Sequence, residues 1–188
     1  ETKAALLAAK ESSELPVFVS NAYGEDGKLM TGADPLSMVA LLEGMGADAI
    51  GVNCSQGPRA LAPIVREYLK YSSLPIIMKA NAGLPTVLNG VTVFDINEEE
   101  FAKEVSILVG EGVRAVGGCC GTTPEHISAL VSATKDIDVI EIKEKNISVV
   151  SSYCRAVLFG ECPVLIGERI NPTGKKRFKE ALRAGDID

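Results

Sequence analysis

The stretch Val113-Arg-Ala-Val-Gly-Gly-Cys-Cys-Gly-Thr-Thr-Pro-Glu-His126 decides the fold, because it joins an apolar run to a helix start with two adjacent cysteines between them. The run is typical of a buried strand, and the two glycines after it let the backbone turn or approach another group closely. Thr123 and Pro124 then supply a capping hydroxyl and a suitable first helical residue. Cys119 and Cys120 are therefore predicted at the carboxyl end of a strand, where the positive end of the next helix favours thiolates.

A segment of the same design lies 65 residues before this cysteine pair. Ala49-Ile-Gly-Val-Asn-Cys-Ser-Gln-Gly57 is an apolar run that ends in a cysteine, and a helical pattern follows it. Three thiolates suit a soft tetrahedral metal such as zinc, and three protein ligands leave one position open for a substrate. The spacing is not that of a zinc finger, so only a folded scaffold could bring Cys54 to Cys119 and Cys120. Asn53 and Ser55 flank the first cysteine and either orient it or make ordinary strand-end hydrogen bonds.

These segments resemble the zinc-ligand segments of the homocysteine S-methyltransferase family. The residues that carry the resemblance are Gly51-Val-Asn-Cys-Ser-Gln-Gly-Pro58 and Gly117-Gly-Cys-Cys-Gly-Thr-Thr-Pro-Glu-His-Ile127. A third segment is Leu165-Ile-Gly-Glu-Arg-Ile-Asn-Pro-Thr-Gly174. It is similar to the opening strand of the pterin-binding domain, which follows the homocysteine-binding barrel in the cobalamin-dependent methionine synthase branch of the family. Betaine-dependent and S-methylmethionine-dependent relatives lack that domain, so the order of the segments favours this branch.

The resemblance implies a chemistry and a set of site residues. Zinc held by Cys54, Cys119 and Cys120 would take the thiol of homocysteine at its open position and lower the pKa of that thiol, and the thiolate would accept a methyl group to give methionine. In this branch methylcobalamin, carried by a cobalamin-binding domain, donates the methyl group, and methyltetrahydrofolate recharges the cobalamin. Asn171 matches a position near the pterin pocket. Because the Asp-x-His-x-x-Gly signature of cobalamin binding is missing from the chain, both cofactors are expected only in the full-length enzyme.

The rest of the chain repeats a strand-loop-helix unit. Apolar runs at residues 15–20, 49–53, 74–79 and 113–118 alternate with helical patterns at 35–42, 58–70, 97–110 and 124–134. Nearly all-apolar strands between helices predict an α/β fold with a parallel sheet, either part of a (β/α)8 TIM barrel or an open doubly wound sheet. The resemblance favours the barrel, with these units as its last four. Residues 80–96, rich in Gly, Pro and Asn, are predicted to be a long functional or mobile loop.

Three regions are expected along the chain. Residues 1–135 would be the carboxyl-terminal half of a homocysteine-binding barrel, 136–162 an interdomain linker, and 163–188 the start of a pterin-binding domain, with a strand at Pro163–Ile166 and a helix at Lys175–Ala184. Half a barrel exposes two sheet edges and lacks the substrate-binding residues of the earlier strands. The isolated chain is therefore expected to be inactive or weakly active, and a homodimer formed through those edges would restore burial.

Composition excludes several classes of protein. With 188 residues, of which 46% are hydrophobic, the chain can bury a substantial core. The net charge of −6, from 19 basic and 25 acidic residues, makes nucleic acid a poor partner. No run approaches the roughly 18 apolar residues of a membrane span. The five cysteines are an odd number, which favours metal ligands or free thiols in a reducing cytoplasm over disulfides.

Two other interpretations of the cysteines stay open. The chain could be a zinc-binding structural fragment without activity of its own, or Cys119 and Cys120 could form a redox pair, although a disulfide between adjacent residues is strained. Cys154 and Cys162 have no ligand-like surroundings and are interpreted as structural. His126, the single histidine, is predicted to be a polar helix-start residue rather than a catalytic base.

Overall fold

The computed structural model describes residues 1–152, 154–160, 162–167 and 173–186. It divides into two compact units, Glu1–Leu158 and Phe159–Asp188. The helices are α1 Thr2–Ser12, α2 Pro35–Gly44, α3 Pro58–Tyr71, α4 Glu98–Glu111, α5 Pro124–Thr134 and α6 Lys176–Ala184, and the strands are β1 Phe18–Asn21, β2 Ala49–Asn53, β3 Ile76–Ala80, β4 Pro85–Leu88, β5 Val91–Phe94, β6 Ala115–Gly118, β7 Ser148–Ser151 and β8 Ala156–Phe159. None of the helices in these ranges is long and apolar enough to cross a membrane.

Four strands form one parallel sheet in the order β1-β2-β3-β6. The register is continuous across it, since Ser20 pairs with Gly51, Gly51 with Ile77, and Ile77 with Ala115. Each strand is followed along the chain by a helix, namely α2, α3, α4 and α5. The predicted α/β class with a parallel sheet is thus confirmed, and all four strand-helix units occur where the sequence pattern indicates them.

The helices cover one face of the sheet. Alternate strand residues, including Ile50, Val52, Ile76 and Met78, are fully or almost fully buried against helical side chains such as Leu61 of α3. Burying a large apolar side chain contributes about 1.5–3 kcal/mol, so this layer is the main source of stability. A buried hydrogen bond of 2.6 Å between the hydroxyls of Tyr23 and Tyr68 fastens the segment after β1 to α3.

The opposite face of the sheet, which we call the open face, carries no helix in the described structure. It comprises the residues that alternate with the core positions: Phe18, Ser20, Ala49, Gly51, Asn53, Ile77, Lys79, Ala115 and Gly117. Phe18 is 64% exposed there. A shallow cavity of about 290 Å³ runs over this face and is lined by Phe18, Ser20, Ile77, Lys79 and the β6 backbone.

The predicted loop at residues 80–96 is wrong in one respect, because it contains the antiparallel hairpin β4–β5. Asn89 and Gly90 form its two-residue turn, and both have positive φ, 51° and 78°. Asn-Gly between alternating apolar residues favours such a turn, since both positions tolerate the left-handed region. That dipeptide was the signal that the loop prediction overlooked.

The carboxyl-terminal part of the chain departs further from prediction. Within residues 136–162, β7 and β8 pair as a two-stranded sheet. The strand predicted at Pro163–Ile166 is wrong: those residues have no regular secondary structure, because a strand forms only by pairing and no described strand pairs with them. The helix predicted at Lys175–Ala184 is present as α6. Asn171 lies outside the described residues.

Candidate metal centre

Three cysteine sulfurs meet at the carboxyl edge of the parallel sheet. Cys54 directly follows β2, and Cys119 and Cys120 directly follow β6. The sulfur of Cys120 lies 3.7 Å from that of Cys54 and 3.9 Å from that of Cys119, and all three sulfurs lie within 4.8 Å of one another. The structure therefore brings together the three residues that the sequence predicted to be metal ligands.

Strand β3 holds the two cysteine-bearing segments in place, because it pairs with β2 on one side and β6 on the other. The Cys54 N–H donates to the carbonyl oxygen of Lys79 at 2.9 Å, and the Cys119 N–H donates to that of Ala80 at 2.8 Å. Just beyond the strand, the Ala82 N–H donates to the carbonyl oxygen of Cys120 at 2.9 Å. The sulfur separations are thus set by the ladder of a single central strand.

Asn81, which the sequence analysis missed, links both segments through its side chain. It is 4% exposed, and its Oδ1 accepts a hydrogen bond of 3.1 Å from the Cys120 N–H. Its side chain also helps to lower the pKa of the Cys54 thiol. The available signal was its place directly after the third apolar strand, at the sheet edge where the cysteines were already expected.

The backbone turns sharply at the first cysteine. Cys54 and Ser55 have φ of 58° and 61°, in the left-handed region that residues other than glycine seldom adopt. The Ser55 hydroxyl and the Gln56 N–H both donate to the carbonyl oxygen of Cys54, each at 2.8 Å. These bonds hold the turn that aims Cys54 at the pair. Asn53 is half-buried on the open face, and its predicted orienting role stays a prediction.

The thiols of Cys54 and Cys120 do not ionise alike. A backbone hydrogen bond from Ser55 is the main cause that lowers the pKa of Cys54, aided by hydrogen bonds from the neighbouring thiols and Asn81, while partial burial opposes it. Hydrogen bonding to Cys54 and Cys119, followed by their charge, raises the pKa of Cys120 to about 11. The expectation of a thiolate is therefore wrong for Cys120 in the metal-free cluster, because the adjacent sulfurs raise its pKa. A bound cation would favour ionisation of the whole cluster, because it stabilises all three thiolates together.

His126 stands at the start of α5 and acts as a cap. The Thr123 N–H donates to its Nδ1 at 3.3 Å, so the proton is on Nε2, which lies 3.1 Å from the carbonyl oxygen of Ile96. The ring is 7% exposed and packs edge-on against Phe101. Both ring nitrogens are thus engaged in structural bonds, in agreement with the prediction of a helix-start residue.

The donor set fits zinc. Tetrahedral zinc bonds thiolate sulfur at about 2.3 Å, which places two sulfur ligands about 3.8 Å apart. The separations of 3.7 Å and 3.9 Å are close to that value before any ion is considered. Cys154 and Cys162 are exposed and do not belong to the cluster.

A parallel βα sheet with three converging cysteines at its carboxyl edge defines an α/β protein whose cysteine cluster could hold a metal ion. Residues 1–134 match the family model described as Homocysteine S-methyltransferase, and the chain therefore belongs to that family, as its motifs indicated.

Two curated relatives are methionine synthases. That of Mycobacterium leprae (strain TN) is 32% identical over 199 residues, and that of Mycobacterium tuberculosis (strain ATCC 25618 / H37Rv) is 31% identical over 194 residues. Each match covers 99% of this chain but 16% of the relative, so the chain spans about a sixth of their length. The oxidized form of the homocysteine methyltransferase MmuM from Escherichia coli shares the fold, with a TM-score of 0.55 and 22% identity over 70% of this chain and 40% of that one.

Proposed function

We propose that this chain is the metal-binding and thiol-binding part of a methionine synthase type of methyltransferase, with homocysteine as the methyl acceptor. The observation that carries the proposal is the convergence of three sulfurs within 4.8 Å from two strand ends that are far apart in sequence. Membership in the homocysteine S-methyltransferase family supports the choice of thiol.

Bound zinc would supply a Lewis acid with one open position, which lowers the pKa of an incoming thiol and makes it a nucleophile at neutral pH. The chain's own residues supply the rest. Three thiolates give the site net negative charge, which keeps the acceptor sulfur electron-rich. Asn81 and Ser55 fix the positions of Cys120 and Cys54, so the donor set is ordered before the ion arrives.

The methyl donor in this proposal is methylcobalamin on a cobalamin-binding domain of the full-length protein, recharged by methyltetrahydrofolate. The similarity to methionine synthases, of which this chain spans 16%, supports it, since most of such a protein is left for other domains. The division into a half barrel at 1–135, a linker at 136–162 and the start of a pterin domain at 163–188 belongs to the same proposal, as does a role for Asn171 in pterin binding. Free thiols in the cluster suit a reducing cytoplasm.

A second candidate is a zinc-binding fragment without turnover of its own. The open face supports it, because in the described part of the chain the sheet, with Phe18 64% exposed, has no second layer to enclose a substrate. The unpaired edges of β1 and β6 also support homodimer formation. Methyl transfer from methylcobalamin to homocysteine, assayed with and without the missing barrel strands supplied as a second polypeptide, separates this candidate from the first.

Metal content tests the proposed site directly. Protein purified under reductant is expected to contain about one zinc per chain by plasma emission. Cys120→Ala should lose the zinc, and Cys154→Ala, which removes an exposed cysteine outside the cluster, should keep it. Equal zinc content in all three proteins, or none in the wild type, would remove the basis for the proposal.

A further inference from the structure

Lys79 is the one charged side chain on the open face as the structure describes it. It is exposed and lines the cavity of about 290 Å³ that runs over this face, together with Ser20 and Ile77. A lysine on an otherwise neutral surface of a parallel sheet is not explained by the packing of the sheet. It therefore offers a cation to whatever occupies the cavity.

The register puts Lys79 at the end of the cavity nearest the cysteines. Across the sheet it pairs with Asn53 on β2 and with Gly117 on β6, so these three residues form the last row before the sulfur-bearing turns. Asn53 immediately precedes Cys54, whose N–H donates to the Lys79 carbonyl oxygen at 2.9 Å. The lysine side chain consequently leaves the sheet in the row next to the cysteine-bearing turns.

Gly117 keeps this corner open. A Cβ atom at position 117 would contact Cγ of Lys79 at 3.6 Å, so glycine leaves the base of the lysine free of a neighbouring side chain. The four-carbon stem can then reach along the open face while its ammonium group stays in contact with water.

We propose that Lys79 is a specificity-determining residue that binds the carboxylate of the thiol substrate. The inference rests on the proposed function, in which the substrate sulfur joins the cluster at the sheet edge. A thiol that is also an amino acid carries a carboxylate a few bonds from its sulfur, and Lys79 is the cation that the open face carries in the last row before the cysteine-bearing turns. The ammonium group pairs with the carboxylate, so thiols without a carboxylate bind with lower affinity.

Three thiols that differ in single groups test this on the zinc-loaded chain by calorimetric titration. Homocysteine has thiol, ammonium and carboxylate groups, 4-mercaptobutanoate lacks the ammonium, and 3-aminopropane-1-thiol lacks the carboxylate. Lys79→Met, which keeps the aliphatic stem, is expected to weaken binding of the two carboxylates by about tenfold and to leave 3-aminopropane-1-thiol unchanged or slightly tighter. Lys79→Arg should retain most of the carboxylate preference, and zinc content should stay at the wild-type value in both variants.

The outcomes separate the two levels of inference. Equal weakening of all three thiols would overturn the carboxylate assignment and show that Lys79 acts on the sulfur cluster itself. Thiol affinities that are the same in wild type and Lys79→Met would overturn it as well, with the proposed function intact. If the zinc-loaded wild type bound none of the three thiols, the proposed function would fail, and the role of Lys79 would fail with it.

Discussion

The sulfurs of Cys54 and Cys120 lie 3.7 Å apart although the two residues are 66 positions apart in sequence. The strands that precede them, β2 and β6, do not pair with each other. Strand β3 lies between the two and makes hydrogen bonds to both cysteine segments. The geometry of the site therefore depends on the central strand and on the residues at its carboxyl end. Changes there should alter metal binding without removing a thiol.

Asn81→Ala should weaken zinc binding. The change leaves the partly buried Cys120 N–H without its acceptor and removes a side chain that lowers the pKa of Cys54. Loss of such an outer hydrogen bond typically costs about 10–100-fold in metal affinity, and an unsatisfied buried N–H about 1–3 kcal/mol in the free energy of unfolding. Competition with a chromophoric chelator and urea unfolding of the metal-free protein measure the two effects. Asn53→Ala, at the end of the neighbouring strand, is the comparison, and unchanged zinc affinity in Asn81→Ala would show that these bonds do not position the sulfurs.

His126→Ala should lower stability and spare the metal. The side chain bridges Thr123 at the start of α5 and the carbonyl oxygen of Ile96 before α4, so its loss leaves a partly buried acceptor unpaired. We expect the free energy of unfolding to fall by about 1–3 kcal/mol, with zinc content unchanged. Thr123→Ala, which removes the other half of the same cap, should cost about 1 kcal/mol. A fall in zinc content without a fall in stability would assign His126 to the site instead.

Local sequence patterns predicted the parallel sheet well and the connections poorly. Runs such as Ala49–Asn53 are almost wholly apolar and lie between two helical patterns, so their strands could be located directly. Residues 163–166 have the same apolar character but form no strand, because pairing depends on a neighbouring strand and not on the segment itself. The cysteine cluster could be predicted because strand ends of a parallel sheet share one edge. The place of Asn81 at the same edge could be predicted too, but its bond to the Cys120 N–H could not, because that bond depends on a side-chain direction that periodicity does not give.

Gly121→Ala should destabilise the protein where the β4–β5 hairpin packs against the turn after Cys120. Gly121 has φ of 78°, and a Cβ atom there would overlap the ring of Phe94 at the end of β5. The left-handed conformation alone costs an alanine about 1–2 kcal/mol, and the overlap adds to it. Thermal unfolding of Gly121→Ala, Phe94→Ala and the double variant measures the coupling between the two positions. Gly121→Ala should cost less stability in the Phe94→Ala background, where the ring is absent. Gly110→Ala is the control, because that helical position has open space around it and should become slightly more stable. Equal costs of Gly121→Ala in both backgrounds would show that the ring is not the obstacle.

Acid should loosen the pairing of α3 with α4. Arg66 donates to both carboxylate oxygens of Glu111, at 2.8 Å from Nε and 2.7 Å from Nη2, and Arg59 contacts Glu104 at 2.6 Å. Hydrogen bonding to the arginines lowers the pKa of both carboxyl groups below the ordinary value of 4.5. A carboxyl group whose pKa is lower in the folded protein adds stability above its unfolded pKa, and this contribution is lost as the pH falls through the folded value. The free energy of unfolding of the metal-free protein should therefore decrease below about pH 4.5, and Glu111→Gln should reduce that slope. In an Arg66→Met background the same glutamine substitution should no longer change the slope, whereas an unchanged effect there would mean that the titration reports another partner of Glu111.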